Sequence, residues 1–291
     1  MRRPTIIANP TSGLGRSGLA ALAIAREFGR RGIPCPVQMT GGAGDARAFA
    51  RRLSNDVDFL VVVGGDGTLH EILNGLGPRR VPLGLYPAGT GNVLAAELGL
   101  PRSVRQAVDS WLNGREFRMD TFQAGSRRGI SVLSAGFDAS VVRQVAQARD
   151  GGTTWPGAYL EEGARKFRNW KAPDLRVHVD GKDVGRASGV IVANVAAYGG
   201  RWMRLGDDHR LDDGRVETYL FRGRRRSDLL RYALRMGVGR RARGWDVQRL
   251  LASRVRVESA LPVDVQVDGE PAGRTPVELE VESCSVTLRI P

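Results

Sequence analysis

Two glycine-rich segments of this chain have the composition of a phosphate-binding site. Residues 64–68 are Gly-Gly-Asp-Gly-Thr, and residues 87–92 are Pro-Ala-Gly-Thr-Gly-Asn. Glycines let a phosphate approach the backbone, and the unpaired N–H groups of a following helix can donate to it. Because a carboxylate repels phosphate, Asp66 fits such a site if Mg²⁺ lies between them. The pair predicts a two-sided cradle for a triphosphate, whereas an Asp-Gly turn with Thr68 as helix N-cap is the simpler alternative for the first segment.

A third glycine-rich segment gives a weaker indication. Gly13, Gly15 and Gly18 fit the spacing of a dinucleotide-binding loop after a strand, but that site needs a carboxylate at the end of the second strand. The second predicted strand ends Gln-Met-Thr at residues 38–40. A nicotinamide site is therefore not favoured, and a phosphate-binding turn or a plain helix-opening turn remains. A Walker A loop, a GxSxG elbow and the HRD and DFG motifs of protein kinases are absent from the sequence.

The cradle segments lie in a first part that alternates strands, glycine turns and helices. The uninterrupted apolar run before residue 64 is typical of a parallel strand covered on both faces. This alternation predicts an α/β domain over residues 1–120. Strands are predicted over residues 5–8, 36–39, 58–63 and 81–86, and helices over residues 19–28 (ended by Gly29), 43–53, 69–76 and 93–98.

The second part, residues 121–291, changes to a period of two. Apolar residues alternate with polar ones at residues 175–180, 255–257, 263–267, 277–281 and 286–290, and Asp-Gly pairs follow at 180–181 and 268–269. This pattern predicts antiparallel strands with one solvent-exposed face, joined by tight hairpin turns. We expect a second, mostly β domain, with the last strand packing back on the first domain and the ligand site in the cleft between the domains.

Composition excludes several classes of protein. Two cysteines, Cys35 and Cys284, cannot form a disulfide framework, and the three histidines lack zinc-ligand spacing. Neither a secretory signal nor an apolar span is present, so we expect a cytoplasmic protein. Lys and Arg exceed Asp and Glu by 44 to 31, a net charge of +13, which favours anionic ligands.

Nine arginines with interleaved leucines at residues 222–243 predict a basic amphipathic helix that binds anionic lipid, or else a solvated basic face.

Taken together, the motifs resemble those of the bacterial diacylglycerol kinase-like lipid kinases, a superfamily that includes sphingosine and ceramide kinases. The resemblance runs in order through Asn-Pro-Thr-Ser-Gly (9–13), the two cradle segments with Glu71, Ala-Gly-Phe-Asp (135–138), Leu-Asp-Asp-Gly (211–214) and Asp-Gly-Glu-Pro (268–271). It implies an N-terminal α/β domain with a parallel sheet and a C-terminal antiparallel β-sandwich. It also implies ATP- and Mg²⁺-dependent phosphoryl transfer to the hydroxyl of a lipid such as diacylglycerol.

The resemblance also assigns roles to residues. It places a general base at Glu270, a water-mediated Mg²⁺ network at Asp66 and Asp120, and a structural Mg²⁺ site at Asp213 with the backbone carbonyls of Arg210 and Arg215. From the residues alone, 213–214 and 268–269 would be hairpin turns. The nucleotide-binding positions are Asn9, Pro10, Thr11, Ser12, Gly13, Thr40, Gly65, Asp66, Gly67, Thr68, Leu69, His70, Glu71 and Thr90.

Three positions depart from the family pattern. Val93 stands where Asp often follows the second cradle segment, so one carboxylate of the implied Mg²⁺ network is missing. Arg16 stands near a position that is usually Lys, which keeps the charge and changes its geometry. His70 stands where Asn is frequent, and we expect it to be a polar residue on the helix surface rather than a catalytic one.

Three other interpretations compete with a lipid kinase. An NAD-kinase-like enzyme shares the Gly-Gly-Asp-Gly-Thr segment but usually carries an Asn-Glu pair in its substrate site. A catalytically weak nucleotide- or lipid-binding homologue would account for Val93, and a nucleic-acid binder has only the net charge in its favour. We therefore expect a lipid partner at an anionic membrane surface, a peripheral position on the inner face of the membrane and no specific nucleic acid, with a homodimer as one open alternative.

Overall fold

The computed structural model describes residues 3–13, 15–148, 157–198, 203–206, 209–237, 242 and 244–291. The chain divides into two compact units, one formed by Met1–Met119 with Cys284–Pro291 and the other by Asp120–Ser283. The chain therefore leaves the first unit near residue 120 and returns to it for its last eight residues, Cys284–Pro291.

The first unit is a parallel sheet covered by helices. Its strands lie in the order β2, β1, β3, β4, and the end of the last strand of the chain lies parallel to β4 with Leu288 opposite Leu83. The strands are β1 (Pro4–Ala8), β2 (Val37–Met39), β3 (Phe59–Gly64) and β4 (Leu83–Pro87). The helices are α1 (Arg16–Arg30), α2 (Asp45–Arg51), α3 (Asp66–Leu76), α4 (Val93–Glu97) and α5 (Val104–Asn113).

Apolar packing on both faces of this sheet explains its uninterrupted strands. Every residue of β3 is buried, and Phe28 of α1 stacks on Trp111 of α5 with ring centroids 6.2 Å apart. The predicted strands and helices all form, but α1 continues past Gly29 to Arg30. It stops where Gly32 takes a left-handed conformation (φ 72°), because that conformation ends a helical backbone.

The second unit is built mainly from antiparallel strands. Its strands are β5 (Arg115–Ala124), which enters from the first unit, β6 (Arg127–Gly129), β7 (Val132–Ala135), β8 (Leu175–Val179), β9 (Lys182–Ala187), β10 (Gly189–Ala193), β11 (Ala197–Tyr198), β12 (Met203–Arg204), β13 (Val216–Phe221), β14 (Val247–Ala252), β15 (Arg254–Ser259), β16 (Asp264–Val267), β17 (Glu270–Arg274) and β18 (Val277–Ile290), which ends in the first unit. Its helices are α6 (Phe137–Ala148), α7 (Gly157–Arg168) and α8 (Arg226–Gly237).

Two sheets pack face to face in this unit. One is antiparallel in the order β14, β13, β10, β7, β16, β17, and the other contains β9, β8, β15 and the start of β18. Their inward residues, among them Val177, Val192 and Val255, share one apolar core. The predicted alternation is confirmed in β8, where Leu175, Val177 and Val179 are buried while Arg176 is exposed. The antiparallel second domain predicted from the sequence is therefore correct.

The two predicted Asp-Gly hairpin turns both form. Asp180 and Gly181 have φ values of 48° and 80°, and Asp268 and Gly269 have 50° and 83°. Positive φ at both central residues is the geometry that matches the twist of two paired antiparallel strands. In the described part of the chain, no helix has both the length and the hydropathy needed to span a bilayer.

Candidate active site

The first candidate site lies at the carboxyl edge of the parallel sheet, where the loops after β1, β3 and β4 meet. Gly13 of the first loop has φ 59°, and a Cβ there would overlap the carbonyl oxygen of Ala88 in the third loop. This contact requires glycine both for its backbone conformation and for its lack of a side chain. Of the predicted Gly13-to-Gly18 segment, Leu14 lies outside the described residues.

The two glycine turns cross at their backbones. A Cβ on Gly89 would lie 2.5 Å from the Cα of Gly65, and a Cβ on Gly65 would lie 3.2 Å from the Cα of Gly89. Asn92 closes the second turn on itself, since its Oδ1 accepts from the Gly89 N–H at 2.9 Å and its Nδ2 donates to the Gly89 carbonyl at 2.5 Å. The structure thus brings together the two segments that the sequence predicted as a pair.

Helix α3 begins at Asp66, three residues earlier than predicted. Gly65 is extended, and its carbonyl accepts from the N–H groups of Thr68 and Leu69 at 3.1 and 3.2 Å. Thr68 therefore lies in the first helical turn and is not the N-cap of the simpler alternative. The Asp66 carboxylate accepts from the Val93 N–H at 3.1 Å, which joins the start of α3 to the start of α4. A carboxylate is stabilised there because both helix starts present positive partial charge.

The first loop is an organised turn with an exposed hydroxyl. Asn9 Oδ1 accepts from the N–H and the hydroxyl of Thr11 at 3.1 and 2.8 Å. Ser17 Oγ lies 2.7 Å from the carbonyl oxygens of both Asn9 and Ser12, which fixes the loop to the start of α1. Thr11 is exposed, as is Thr90 at the tip of the third loop, so two hydroxyls at this edge are open to a ligand.

Four other predicted nucleotide-binding residues are buried or bonded to neighbouring backbone, unlike the exposed Thr11 and Thr90. Thr40 follows β2 and is buried, and its N–H donates to the Ala8 carbonyl at 2.9 Å. Leu69 is a core residue, and Glu71 accepts from the Gly44 N–H at 3.1 Å. His70 is buried, so its expected place on the helix surface is wrong. It is buried because it lies on the same side of α3 as the core residues Leu69 and Leu73.

The second candidate site is the turn that carries Glu270. Glu270 is partly buried and is the first residue of β17, directly after the turn formed by Asp268 and Gly269. The Asp268 carboxylate accepts the N–H groups of residues 130, 131 and 132 at 2.8, 2.8 and 2.9 Å. Three hydrogen bonds to one charged acceptor hold the turn firmly against the strand β7.

The remaining predicted residues lie around the loop at 210–215 in the same unit. Asp120 is fully buried, and its Oδ2 accepts from the Gly214 N–H at 2.6 Å. Asp213 is exposed and accepts from the Arg215 N–H at 3.0 Å, while Arg210 pairs with Asp212 at 3.4 Å. Asp66 belongs to the first unit, so the implied network of Asp66 and Asp120 draws on both units and stays a prediction.

The donor types at these places fit magnesium. Within the described residues, no three His, Cys, Asp or Glu side chains form a group that could hold a metal ion. Mg²⁺ does not require one, because it commonly takes one or two carboxylates, keeps several waters and prefers oxygen ligands. Asp66 at the cradle, and Asp213 with its neighbouring carbonyls, offer such ligands.

Sequence reasoning missed a buried polar pair behind the Glu270 turn. Asp138, at the start of α6, accepts hydrogen bonds from the hydroxyls of Ser134 and Tyr198. Burial raises the pKa of Asp138, and the two hydrogen bonds oppose that effect; burial and the Asp138 charge together raise the pKa of Tyr198 well above its usual value. The signal that existed was Asp138 itself, which ends the Ala-Gly-Phe-Asp segment at 135–138.

Comparison with known proteins agrees with both units. A family model described as the diacylglycerol kinase catalytic domain matches residues 3–124, and one described as the YegS C-terminal NAD kinase beta sandwich-like domain matches residues 131–289. The second alone spans more than half of the chain.

Relatives that match over almost the whole length of the chain point to the same family. A diacylglycerol kinase of Bacillus subtilis (strain 168) is 27% identical over 284 residues, covering 96% of this chain and 93% of that protein. One from Staphylococcus saprophyticus is 29% identical over 280 residues, covering 94% and 91%. A crystal structure of a diacylglycerol kinase from Bacillus anthracis superposes with a TM-score of 0.75 at 18% identity over 100% of this chain and 97% of that one, which shows the shared fold. The chain belongs to the bacterial diacylglycerol kinase-like family and is a lipid kinase.

Proposed function

We propose that this lipid kinase transfers the γ-phosphoryl group of ATP, in the presence of Mg²⁺, to the hydroxyl of a lipid such as diacylglycerol. The observation that carries the proposal is the backbone crossing of Gly65 and Gly89 at the start of α3. Such a crossing leaves backbone without side chains beside the start of α3, which suits the close approach of a polyphosphate. The two relatives named diacylglycerol kinase support a lipid alcohol as the acceptor.

The first unit supplies the groups that would hold the nucleotide. The Gly67 N–H in the first turn of α3 would donate to the phosphates, and the exposed hydroxyl of Thr90 would add a side-chain donor. The exposed Thr11 hydroxyl, which donates to Asn9 Oδ1, would present its oxygen to the nucleotide. Bound Mg²⁺ would neutralise charge on the transferring phosphate, with Asp66 placed to hold its water ligands. Catalysis of phosphoryl transfer relies mainly on such positioning and charge stabilisation.

In the second unit, Glu270 is the proposed general base. The lipid hydroxyl loses its proton to the Glu270 carboxylate while its oxygen bonds to the γ-phosphorus and ADP leaves. A carboxylate is a weak base for an alcohol, so the proton moves late, and the position of the carboxylate matters more than its basicity. The three hydrogen bonds that hold Asp268 limit the movement of this turn.

One assay separates this proposal from its alternatives. Purified protein is incubated with γ-labelled ATP, Mg²⁺, a panel of lipid alcohols in mixed micelles, and NAD. We expect label in the organic phase, with diacylglycerol among the labelled lipids. Label on NAD instead would indicate an NAD-kinase-like enzyme, and no transfer to any acceptor would indicate a binding homologue.

A second proposal concerns the surface of the protein that binds the membrane containing the lipid substrate. Helix α8 turns an apolar stripe outward, since Leu230 and Leu234 are 50% and 60% exposed while Tyr232 and Met236 are buried. Exposed arginines lie at its start, and Trp245 beyond its end is 92% exposed. Leucine and tryptophan flanked by arginine suit the interface of an anionic bilayer. We therefore propose peripheral docking of α8 on the anionic inner face of a membrane; Arg240, Arg241 and Arg243 of the predicted basic stretch lie outside the described residues.

A further inference from the structure

A chain of buried hydrogen bonds leads into the turn before Glu270. The Gln266 side chain is 2% exposed, and its Oε1 accepts from the Gly269 N–H at 2.8 Å. Its Nε2 donates to the hydroxyl oxygen of Ser134 at 2.9 Å, and Ser134 is fully buried. The Ser134 hydroxyl in turn donates to Asp138. This chain of bonds thus runs from α6 and the adjacent strand β7 to the distant strand β16 and ends at the peptide N–H of Gly269, next to Glu270.

The hydrogen-bond geometry gives a direction to every bond in this chain. The Ser134 hydroxyl has a single hydrogen, and it donates that hydrogen to Asp138. The Ser134 oxygen can then only accept from Gln266, which turns the amide nitrogen of Gln266 toward it. The amide oxygen of Gln266 is left facing the Gly269 N–H. The other amide orientation would set two donors against each other at Gly269 and two acceptors against each other at Ser134, which is unfavourable in a buried site.

The bond to Gly269 supports a strained turn. Asp268 has φ 50°, a conformation that non-glycine residues adopt at some energetic cost. Its carboxylate is tied to residues 130–132, which holds one side of the turn, while Gln266 holds the peptide between Asp268 and Gly269. Loss of the Gln266 bond would leave the turn attached but free that peptide to rotate, and Glu270 follows it directly.

We propose that Gln266, oriented by Ser134 and Asp138, is a positioning residue for Glu270 in the phosphoryl-transfer reaction. The inference rests on the proposed role of Glu270 as general base. A displacement of about 1 Å in a reacting group can cost a hundredfold in rate. Gln266→Met, which keeps the length of the side chain and removes both hydrogen bonds, is therefore expected to lower kcat about 10- to 100-fold.

The test is a double-mutant cycle, with Gln266→Met made in the wild type and in Glu270→Gln. If Gln266 acts through Glu270, the substitution lowers kcat in the wild type, leaves KM for ATP unchanged and changes the residual rate of Glu270→Gln by less than about twofold. Thr218→Val is the matched control, because Thr218 is buried in the same sheet and its hydroxyl has no hydrogen-bond partner among the described residues. It is expected to keep the wild-type rate.

The outcomes are distinguishable. Equal loss in both backgrounds, or a wild-type kcat for Gln266→Met, overturns the positioning role and leaves the base assignment intact. A wild-type kcat for Glu270→Gln overturns the base assignment itself. If Gln266→Met does not fold by circular dichroism, Ser134→Ala takes its place in the cycle, because it removes the oxygen that orients Gln266 while leaving Gln266 in place. A wild-type kcat for Ser134→Ala then overturns the proposal.

Discussion

The backbone N–H of Val93 donates to the carboxylate of Asp66 across 3.1 Å, so one side chain links the starts of α3 and α4. Asp often occupies the position of Val93 in the family that the chain resembles. Here the contribution of position 93 to this contact comes from the backbone, which any residue except proline supplies. The hydrogen bond between Asp66 and residue 93 therefore forms with Val at this position as it would with Asp. Asp66 remains as a carboxylate at the glycine crossing.

Replacement of Asp66 tests its chemical role separately from its structural one. Asp66→Asn keeps an acceptor for Val93 but removes the charge, so we expect loss of lipid phosphorylation with little change in thermal stability. Asp66→Ala also removes the acceptor and should lower the free energy of unfolding by about 0.5–2 kcal/mol, as loss of a helix cap does. Labelled-ATP transfer and urea unfolding measure the two effects, and an active Asp66→Asn enzyme contradicts the Mg²⁺ role.

Replacement of Glu270 tests the proposed base. Glu270→Gln keeps the shape of the side chain and should lower kcat by about 10²- to 10⁴-fold, the usual contribution of a positioned acid or base. The melting temperature should stay near that of the wild type. Glu278→Gln is the matched control, since Glu278 lies in the same unit with its side chain 50% exposed. Wild-type turnover by Glu270→Gln would show that another group takes the proton.

The glycine crossing predicts that a single methyl group disrupts nucleotide binding. In Gly89→Ala the new Cβ would lie 2.5 Å from the Cα of Gly65, so the two turns must separate. We expect at least tenfold weaker ATP binding by calorimetry and a loss of about 1–3 kcal/mol in stability. Gly29→Ala is the control, because a Cβ at Gly29 in α1 meets nothing within 4 Å. It should bind ATP normally, and equal binding by both variants would exclude the crossing as the nucleotide site.

The anchoring of α8 predicts a pH-dependent effect on stability. Burial raises the pKa of Asp246, but hydrogen bonds from Arg231 and Tyr232 outweigh it, so the net pKa is lowered. A lowered folded-state pKa stabilises the fold above the unfolded value of about 4, and this stability is lost as pH falls through the folded pKa. Asp246→Asn should therefore lower the free energy of unfolding at pH 7 by about 1–3 kcal/mol. The difference from the wild type should narrow below pH 4, as measured by urea unfolding; a constant difference would contradict the ionic contribution.

The outward stripe of α8 predicts selective membrane binding. Replacing Leu230 and Leu234 together by Ser should weaken sedimentation with anionic phosphatidylglycerol vesicles about tenfold or more, because burial of each leucine contributes about 1.5–3 kcal/mol. Leu19→Ser, at a leucine of α1 that is 74% exposed, should leave vesicle binding unchanged. Equal binding of the wild type to neutral and anionic vesicles would exclude anionic docking through this helix.

Much of the fold was predictable because it depends on local patterns. The apolar run of β3 indicated a doubly covered parallel strand, and the Asp-Gly pairs at 180–181 and 268–269 indicated hairpin turns that the structure confirms. Errors arose where a boundary depended on backbone geometry. The extended Gly65 starts α3 three residues early. His70 is a separate error, since the sequence placed it on the helix surface and the structure buries it beside Leu69 and Leu73.

The sequence by itself determined the glycine turns, the strand periodicities and the residues able to bind phosphate, since each depends on neighbours only a few positions apart. Only the tertiary structure decided that Gly65 contacts Gly89, that Asp120 is held by Gly214, and that Gln266 joins Ser134 across 132 positions. Strand order within a sheet brings Gly65 to Gly89 and Gln266 to Ser134, and strand order follows from how all the apolar faces are buried at once. A local pattern identifies the groups that can react, whereas collective burial decides which of them meet.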